Sequence, residues 1–227
     1  MRASSHRSYT PRVKPYLLLR AAEITAERPA GSRDDVHFTE ALAASVIEDV
    51  SSPGDMVLDP FAGYGTTLAV AERLGRQAVG VELLEEHMKI ARARVSSEAR
   101  VVHGDARRLS MLIDGPVDLV LTSPPYMTAV DHPENPLTGY ATDDGDYATY
   151  LQEIELVFAQ VADLLRVGGH AVINVANLVS GEVVTPLAWD VGRVVSRHLS
   201  FSGETFLCWD EHPPGQAGDY LLWFRRD

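Results

Sequence analysis

The chain has 227 residues, 45 % of them hydrophobic, and a formal net charge of −12. That length holds one ordinary domain with a sizeable core, and the acidity argues against broad, non-specific affinity for nucleic acid. The single cysteine, Cys208, excludes an internal disulfide framework and a cysteine-built zinc site, and fits a reducing cytoplasm. The histidines show no metal-ligand spacing, so no metal is expected, and no apolar stretch is long enough to span a bilayer. No secretory signal is read at the N-terminus, which has no long apolar segment before a small-residue cleavage site.

Residues 1–35 read as an N-terminal extension, a flexible arm ahead of one domain over 36–227. The first 20 residues carry Arg2, Arg7, Arg12, Lys14 and Arg20 and no acid, interleaved with Tyr9 and Tyr16. They fit either a solvated tail or an arm that touches phosphates. YLLLRAAEITAER (16–28) reads as a short helix. HFTEALAASVIEDV (37–50) has helical spacing, and SSPGD then turns the chain. Four strand-like runs follow: DMVLD (55–59), QAVGVE (77–82), ARVVHGD (99–105) and VDLVLT (117–122). The first three are separated by helical stretches, TTLAVAERLG (66–75) and LEEHMKIARARV (84–95), and the fourth is followed by a longer one at 147–166. HAVINVAN (170–177) reads as a fifth strand and PLAWDVGRVVSRHL (186–199) as a helix. SGETFLCWD (202–210) and DYLLWFRR (219–226) close the chain around a short turn. Strands alternating with helices predict a parallel sheet covered on both faces. The last two runs are too close for a crossover and should pair antiparallel. The expected fold is α/β: a Rossmann-like, doubly wound, mostly parallel sheet with a C-terminal antiparallel strand. Ligands in such sheets bind at the carboxyl ends of the strands, so the informative residues are those just after each strand.

DPFAGYGTT (59–67) is strand end, tight loop and helix start. Gly63 and Gly65 allow a close approach to a ligand, and Thr66 or Thr67 can cap the helix. The loop lacks the lysine of a phosphate loop and the third glycine of nicotinamide enzymes. Glu82, about 20 positions on at the next strand tip, is placed to bind a ribose. Asp105, at the third tip, can accept from an adenine amino group or cap the next helix. Asp59, Glu82 and Asp105 together suit a nucleoside cofactor with no phosphate in that pocket, because acids repel a pyrophosphate.

DPFAGYGTT followed by TSPPY (122–126) resembles the amino-methyltransferase family of S-adenosylmethionine enzymes, which methylate exocyclic amines of bases in DNA. The first motif resembles the family's cofactor loop, so Asp59, Pro60, Phe61, Gly63, Gly65 and Thr66 join Glu82 and Asp105 as cofactor-binding candidates. HFTEAL resembles the segment beside the methionine end of the cofactor, which adds Phe38 and Thr39. TSPPY resembles the catalytic loop, in the variant typical of cytosine-N4 enzymes. The resemblance thus implies class I methyltransferase fold, S-adenosyl-L-methionine as cofactor and nucleic acid as partner, DNA ahead of RNA.

The chemistry explains TSPPY. The lone pair of an exocyclic amine is delocalised into its ring. Acceptors for the amino hydrogens pull the nitrogen toward tetrahedral geometry and aim the lone pair at a methyl donor. Ser123 offers a hydroxyl oxygen and Pro124 a carbonyl. Pro124 and Pro125 hold the backbone rigid, and Tyr126 offers a ring for stacking. A duplex target must be flipped out. Carbon-5 methylation would need a cysteine, and Cys208 reads as a small buried hydrophobe. No room is left for a large recognition domain. The segment 127–146 reads as a long loop, with Asp131 and His132, and Asn174 and Asn177, as secondary site candidates. Three readings follow: a site-specific DNA cytosine-N4 methyltransferase; the same chemistry on RNA or on adenine N6 in DNA; and a silent cofactor-binding module.

Overall fold

The computed structural model describes residues 13–32, 38–130, 134–139, 141, 145–211 and 213–227. Among the described residues nine strands form one sheet: β1 (Tyr16–Leu19), β2 (Met56–Asp59), β3 (Gln77–Glu82), β4 (Arg100–His103), β5 (Val117–Thr122), β6 (Leu165–Ser180), β7 (Val183–Thr185), β8 (Ser200–Trp209) and β9 (Gln216–Arg225). The order is β1-β8-β9-β6-β5-β2-β3-β4, with β7 hairpinned onto β6. Strands β4, β3, β2, β5 and β6 run parallel, and β9 is antiparallel to both neighbours, β6 and β8. This is the expected doubly wound sheet. The turn between β8 and β9 does reverse the chain.

Apolar residues alternate between two cores because successive strand side chains point to opposite faces. Val57, Leu119, Leu121, Val172 and Leu221 pack beneath α2 (Glu40–Val50), α3 (Thr66–Arg73) and α4 (Glu85–Arg94). Leu58, Val120, Ile173, Leu222 and Phe224 pack beneath α5 (Leu109–Leu112), α6 (Tyr147–Leu164) and α7 (Leu187–Val195). With both faces dry, the parallel strands hold the loops at their carboxyl ends in fixed positions.

The N-terminal region differs from the helix expected over 16–28. Residues 16–19 form an edge strand, paired in parallel with β8 from Tyr16 opposite Phe206 to Leu19 opposite Trp209. Only Ala21–Ala26 are helical (α1). Helix α2 begins at Glu40, later than its apolar spacing suggested, because the Thr39 hydroxyl caps it by accepting the Leu42 N–H at 3.2 Å. The fifth strand is longer than 170–177, since it also carries β9 and β7 along its length. The expected boundary at residues 35 and 36, and most of the basic arm, lie outside the described residues. Among the described residues no helix is long and apolar enough to cross a membrane.

Candidate active site

A cavity of about 900 Å³ opens at the carboxyl ends of β2, β3, β4, β5 and β6. Of the residues expected to bind a cofactor, Phe38, Pro60, Phe61, Gly63, Glu82 and Asp105 line it. So do all four of Ser123, Pro124, Pro125 and Tyr126.

The glycine loop is held from below. Gly63 has φ +51° and donates its N–H to Glu82 Oε2 at 2.8 Å, and Ala62 donates to the Val81 carbonyl at 2.9 Å. Glu82 Oε1 also accepts the Leu84 N–H at 2.8 Å. Burial raises the Glu82 carboxyl, partly offset by these backbone donors. Glu82 therefore fixes the loop and still presents its carboxylate to the cavity.

Four expected contacts stand behind the wall, not in it. Asp59 is buried and bonded inward: it accepts from the Thr122 hydroxyl at 2.6 Å, the Thr67 hydroxyl at 2.7 Å and the Phe61 N–H at 3.0 Å. Burial pushes its carboxyl from 3.8 up to about 6, although all three donors pull the other way. It ties β2, β5 and α3 together under the loop. Gly65, at φ +81°, is packed against α4, where an added Cβ would stand 2.9 Å from Ala91 Cβ. Thr66 accepts from Arg94 at 3.1 Å and makes no cap bond; α3 is capped by Gly65 itself. Thr39 caps α2.

Asp105 lines the cavity but is not a bare acceptor for adenine. The Arg107 guanidinium clasps it, with Nε at 3.0 Å from both carboxylate oxygens and a terminal nitrogen at 2.8 Å from Oδ2. Burial raises the Asp105 carboxyl, but these bonds outweigh burial and hold it below its ordinary value. Arg107 also pairs with Glu153 of α6, and Glu153 accepts from Asn135 Nδ2 at 3.0 Å. Asn135 caps the turn Pro136–Thr138, whose Pro136 and Leu137 roof the cavity.

At the TSPPY loop the Ser123 hydroxyl faces Tyr126 Oη at 3.4 Å, and the Tyr126 hydroxyl faces the Asn174 carbonyl at 3.5 Å. Burial raises the Tyr126 hydroxyl far above its ordinary value, so the phenol stays neutral. Tyr150 donates to the Pro125 carbonyl at 2.9 Å. The Pro124 carbonyl meets no donor among the described residues.

The structure adds residues that sequence reasoning missed. Asp219 of β9 lines the cavity, buried, and accepts from Asn174 Nδ2 at 2.8 Å and from Trp209 Nε1 at 2.9 Å. Asn174 is thus at the site, whereas Asn177 holds the start of α7 by accepting the Ala188 N–H at 3.0 Å. Ala21, Ile24 and Thr25 of α1 also line the cavity. Cys208 does not line it. Asp131 and His132 lie outside the described residues. Among the described residues no cluster of His, Cys, Asp and Glu is placed to hold a metal.

A family profile described as DNA methylase matches residues 24–93. The type II methyltransferase M2.DpnII of Streptococcus pneumoniae is 46 % identical over 59 residues, which are 26 % of this chain and 22 % of that protein. This segment is thus similar to the DNA amino-methyltransferase family. The type II methyltransferase M.HinfI of Haemophilus influenzae is 42 % identical over 77 residues, 34 % of this chain and 21 % of its own length. The matches thus span about a fifth of these curated relatives. The fold is that of class I methyltransferases. TrmN from Thermus thermophilus superposes with a TM-score of 0.62 at 20 % identity, over 84 % of this chain and 49 % of that one. A T. thermophilus 16S rRNA N2 G1207 methyltransferase, solved with AdoMet and guanosine, gives 0.55 at 18 % identity, over 87 % and 44 %. S-adenosyl-L-methionine is the cofactor that the resemblance to this family implies. The chain's residues fit it: Gly63 has no Cβ to intrude, Glu82 is placed for a ribose, and the cavity is large enough for the cofactor beside a base.

Proposed function

We propose that this chain transfers a methyl group from S-adenosyl-L-methionine to the exocyclic amino group of a nucleobase, cytosine N4 in DNA before others. One observation carries the reading: Ser123 and Pro124 line the same cavity as Gly63 and Glu82. When bound, the cofactor supplies an electrophilic sulfonium methyl. Phe38, Pro60, Phe61 and Gly63 form its walls, Glu82 takes its ribose, and Asp105 with Arg107 borders its adenine.

The hydrogen-bond chain makes Ser123 an acceptor. Its own proton can turn to Tyr126 Oη, 3.4 Å away, and the Tyr126 proton to the Asn174 carbonyl at 3.5 Å. The serine lone pairs are left for an amino hydrogen, and successive bonds in one direction reinforce each other. The Pro124 carbonyl takes the second amino hydrogen. Pro125 is spent on Tyr150, so the two prolines have separate jobs. The amine is then positioned by two fixed acceptors, and once methylated the nitrogen loses its extra proton to water. Serine in place of Asp or Asn favours cytosine N4 on the family resemblance. Adenine N6 in DNA and a base in RNA use the same geometry, and the net charge of −12 leaves RNA or unpaired DNA open as the second reading.

The test is transfer of labelled methyl from the cofactor to duplex DNA, single-stranded DNA and total RNA, with wild type and Ser123→Ala side by side. Transfer to one of them that depends on Ser123 supports the proposal. Cofactor binding with transfer to none would favour a silent module.

A further inference from the structure

Helix α6 grips the cavity from outside. Tyr150 holds the TSPPY loop by the Pro125 carbonyl at 2.9 Å. Glu153, three residues on, stands on the next ridge of the helix and is half-buried. Its two carboxylate oxygens go different ways. Oε1 pairs with Arg107, whose other nitrogens clasp Asp105 on the adenine side of the cavity. Oε2 accepts from Asn135 Nδ2 at 3.0 Å. Asn135 is buried, and its side-chain oxygen accepts the Leu137 N–H at 3.0 Å. That bond caps the turn whose Pro136 and Leu137 roof the cavity. The turn ends at Gly139, with φ +68°, where an added Cβ would stand 2.9 Å from Leu84 Cδ2. Leu84, two residues after Glu82, also lines the cavity. The roof thus rests on Leu84 at one side and is tied through Glu153 to the Asp105 wall at the other.

We propose that Glu153 is a positioning residue for the cofactor: it locks the roof turn at 135–139 to the Asp105–Arg107 wall, so that wall and roof close on S-adenosyl-L-methionine as one unit. The chemistry calls for a carboxylate. Both neighbours, the Arg107 guanidinium and the Asn135 amide N–H₂, are donors, and a carboxylate offers an acceptor to each. The bond to the guanidinium is charge-assisted and therefore strong. Glutamine would offer one acceptor and turn a donor on the other neighbour. Glu153 is not what keeps the chain in place here. Gln160, about two helical turns on, accepts the Ser110 N–H at 3.0 Å and donates to the Arg107 carbonyl at 3.1 Å. The backbone beside Asp105 therefore stays anchored to α6 when the Glu153 carboxylate is removed. The proposal rests on the reading of this cavity as the cofactor site of a methyl transfer.

The test is calorimetric titration of the full chain with S-adenosylhomocysteine, the cofactor without its methyl group. Wild type, Glu153→Gln, Asn135→Ser and the double variant are compared, with thermal melts to check that each folds. Serine keeps a capping oxygen for the turn but is too short to reach Glu153. Each single variant should weaken binding about fivefold or more. The double variant should bind no worse than the weaker single one, because both cut the same tie. Hydrogen exchange gives a readout that a merely structural role would not move. The ligand should slow exchange at 135–139 in wild type and not in Glu153→Gln, while the glycine loop at 61–65 responds in both. In the transfer assay Glu153→Gln should raise the cofactor KM and leave kcat unchanged. Additive losses in the double variant, or Glu153→Gln binding like wild type, would overturn the proposal. Wild type that binds no S-adenosylhomocysteine would bring down both the proposal and the cofactor reading. Non-additive losses in a chain that methylates neither DNA nor RNA would leave Glu153 in its role and remove the methyl-transfer reading. Transfer that depends on Ser123 and ignores Glu153 would do the reverse.

Discussion

Asp59→Asn separates the buried charge from the hydrogen bonds it serves. In the folded chain burial pushes the Asp59 carboxyl from 3.8 up to about 6. The folded protein therefore holds this proton to higher pH than the unfolded chain. Stability from this group is fully present below pH 3.8 and is lost as pH rises through about 6. At about 1.4 kcal/mol per tenfold change, the loss is about 3 kcal/mol. Asparagine keeps an acceptor for Thr122 and Phe61. Its amide N–H₂ would face Thr67, whose hydroxyl can turn to the Leu121 carbonyl, now at 3.4 Å. The assay is urea unfolding of both proteins from acid to neutral pH, compared as a difference so that other titrations cancel. The variant should gain on wild type as pH rises, by about 3 kcal/mol at neutrality. Parallel curves, or a variant that loses ground with rising pH, would refute the reasoning.

Ser123→Ala should lower kcat about 10²- to 10³-fold with cofactor affinity unchanged, measured by transfer rate and calorimetry. Glu82→Gln should weaken cofactor binding about tenfold or more in the same titration, because a charged acceptor for the ribose and for Gly63 is lost. Gly65→Ala should destabilise the fold by about 2 kcal/mol in thermal or urea melts, since its φ of +81° and the 2.9 Å approach to Ala91 both oppose a Cβ. Cys208→Ser should leave methyl transfer unchanged, as no thiol lies in the cavity wall.

Strands β3 and β5 were legible residue for residue, because each is a short apolar run bounded by polar residues. The places of the glycine loop and of TSPPY at strand ends were legible because each is a local pattern: a strand end, a turn and the residues between them. What sequence reasoning missed depends on distant pairing. YLLL has no strand alternation of its own and becomes a strand only because β8, far along the chain, offers it an edge. Asp59 read as a ligand for want of Thr67 and Thr122, which reach it from α3 and β5. Asp219 and Trp209 join Asn174, which the sequence did offer as a candidate, only once β9 inserts between β6 and β8. Asp105 was different: Arg107, two residues on, was a visible signal that the acid had a partner.

The most direct measurement is mass identification of the nucleosides in nucleic acid methylated by wild type, with Ser123→Ala as control. The account predicts a methyl group on an exocyclic amine, N4 of cytosine first, and its near loss in the variant. A methyl on a ring carbon, a ribose or a phosphate, or equal transfer by Ser123→Ala, would contradict it.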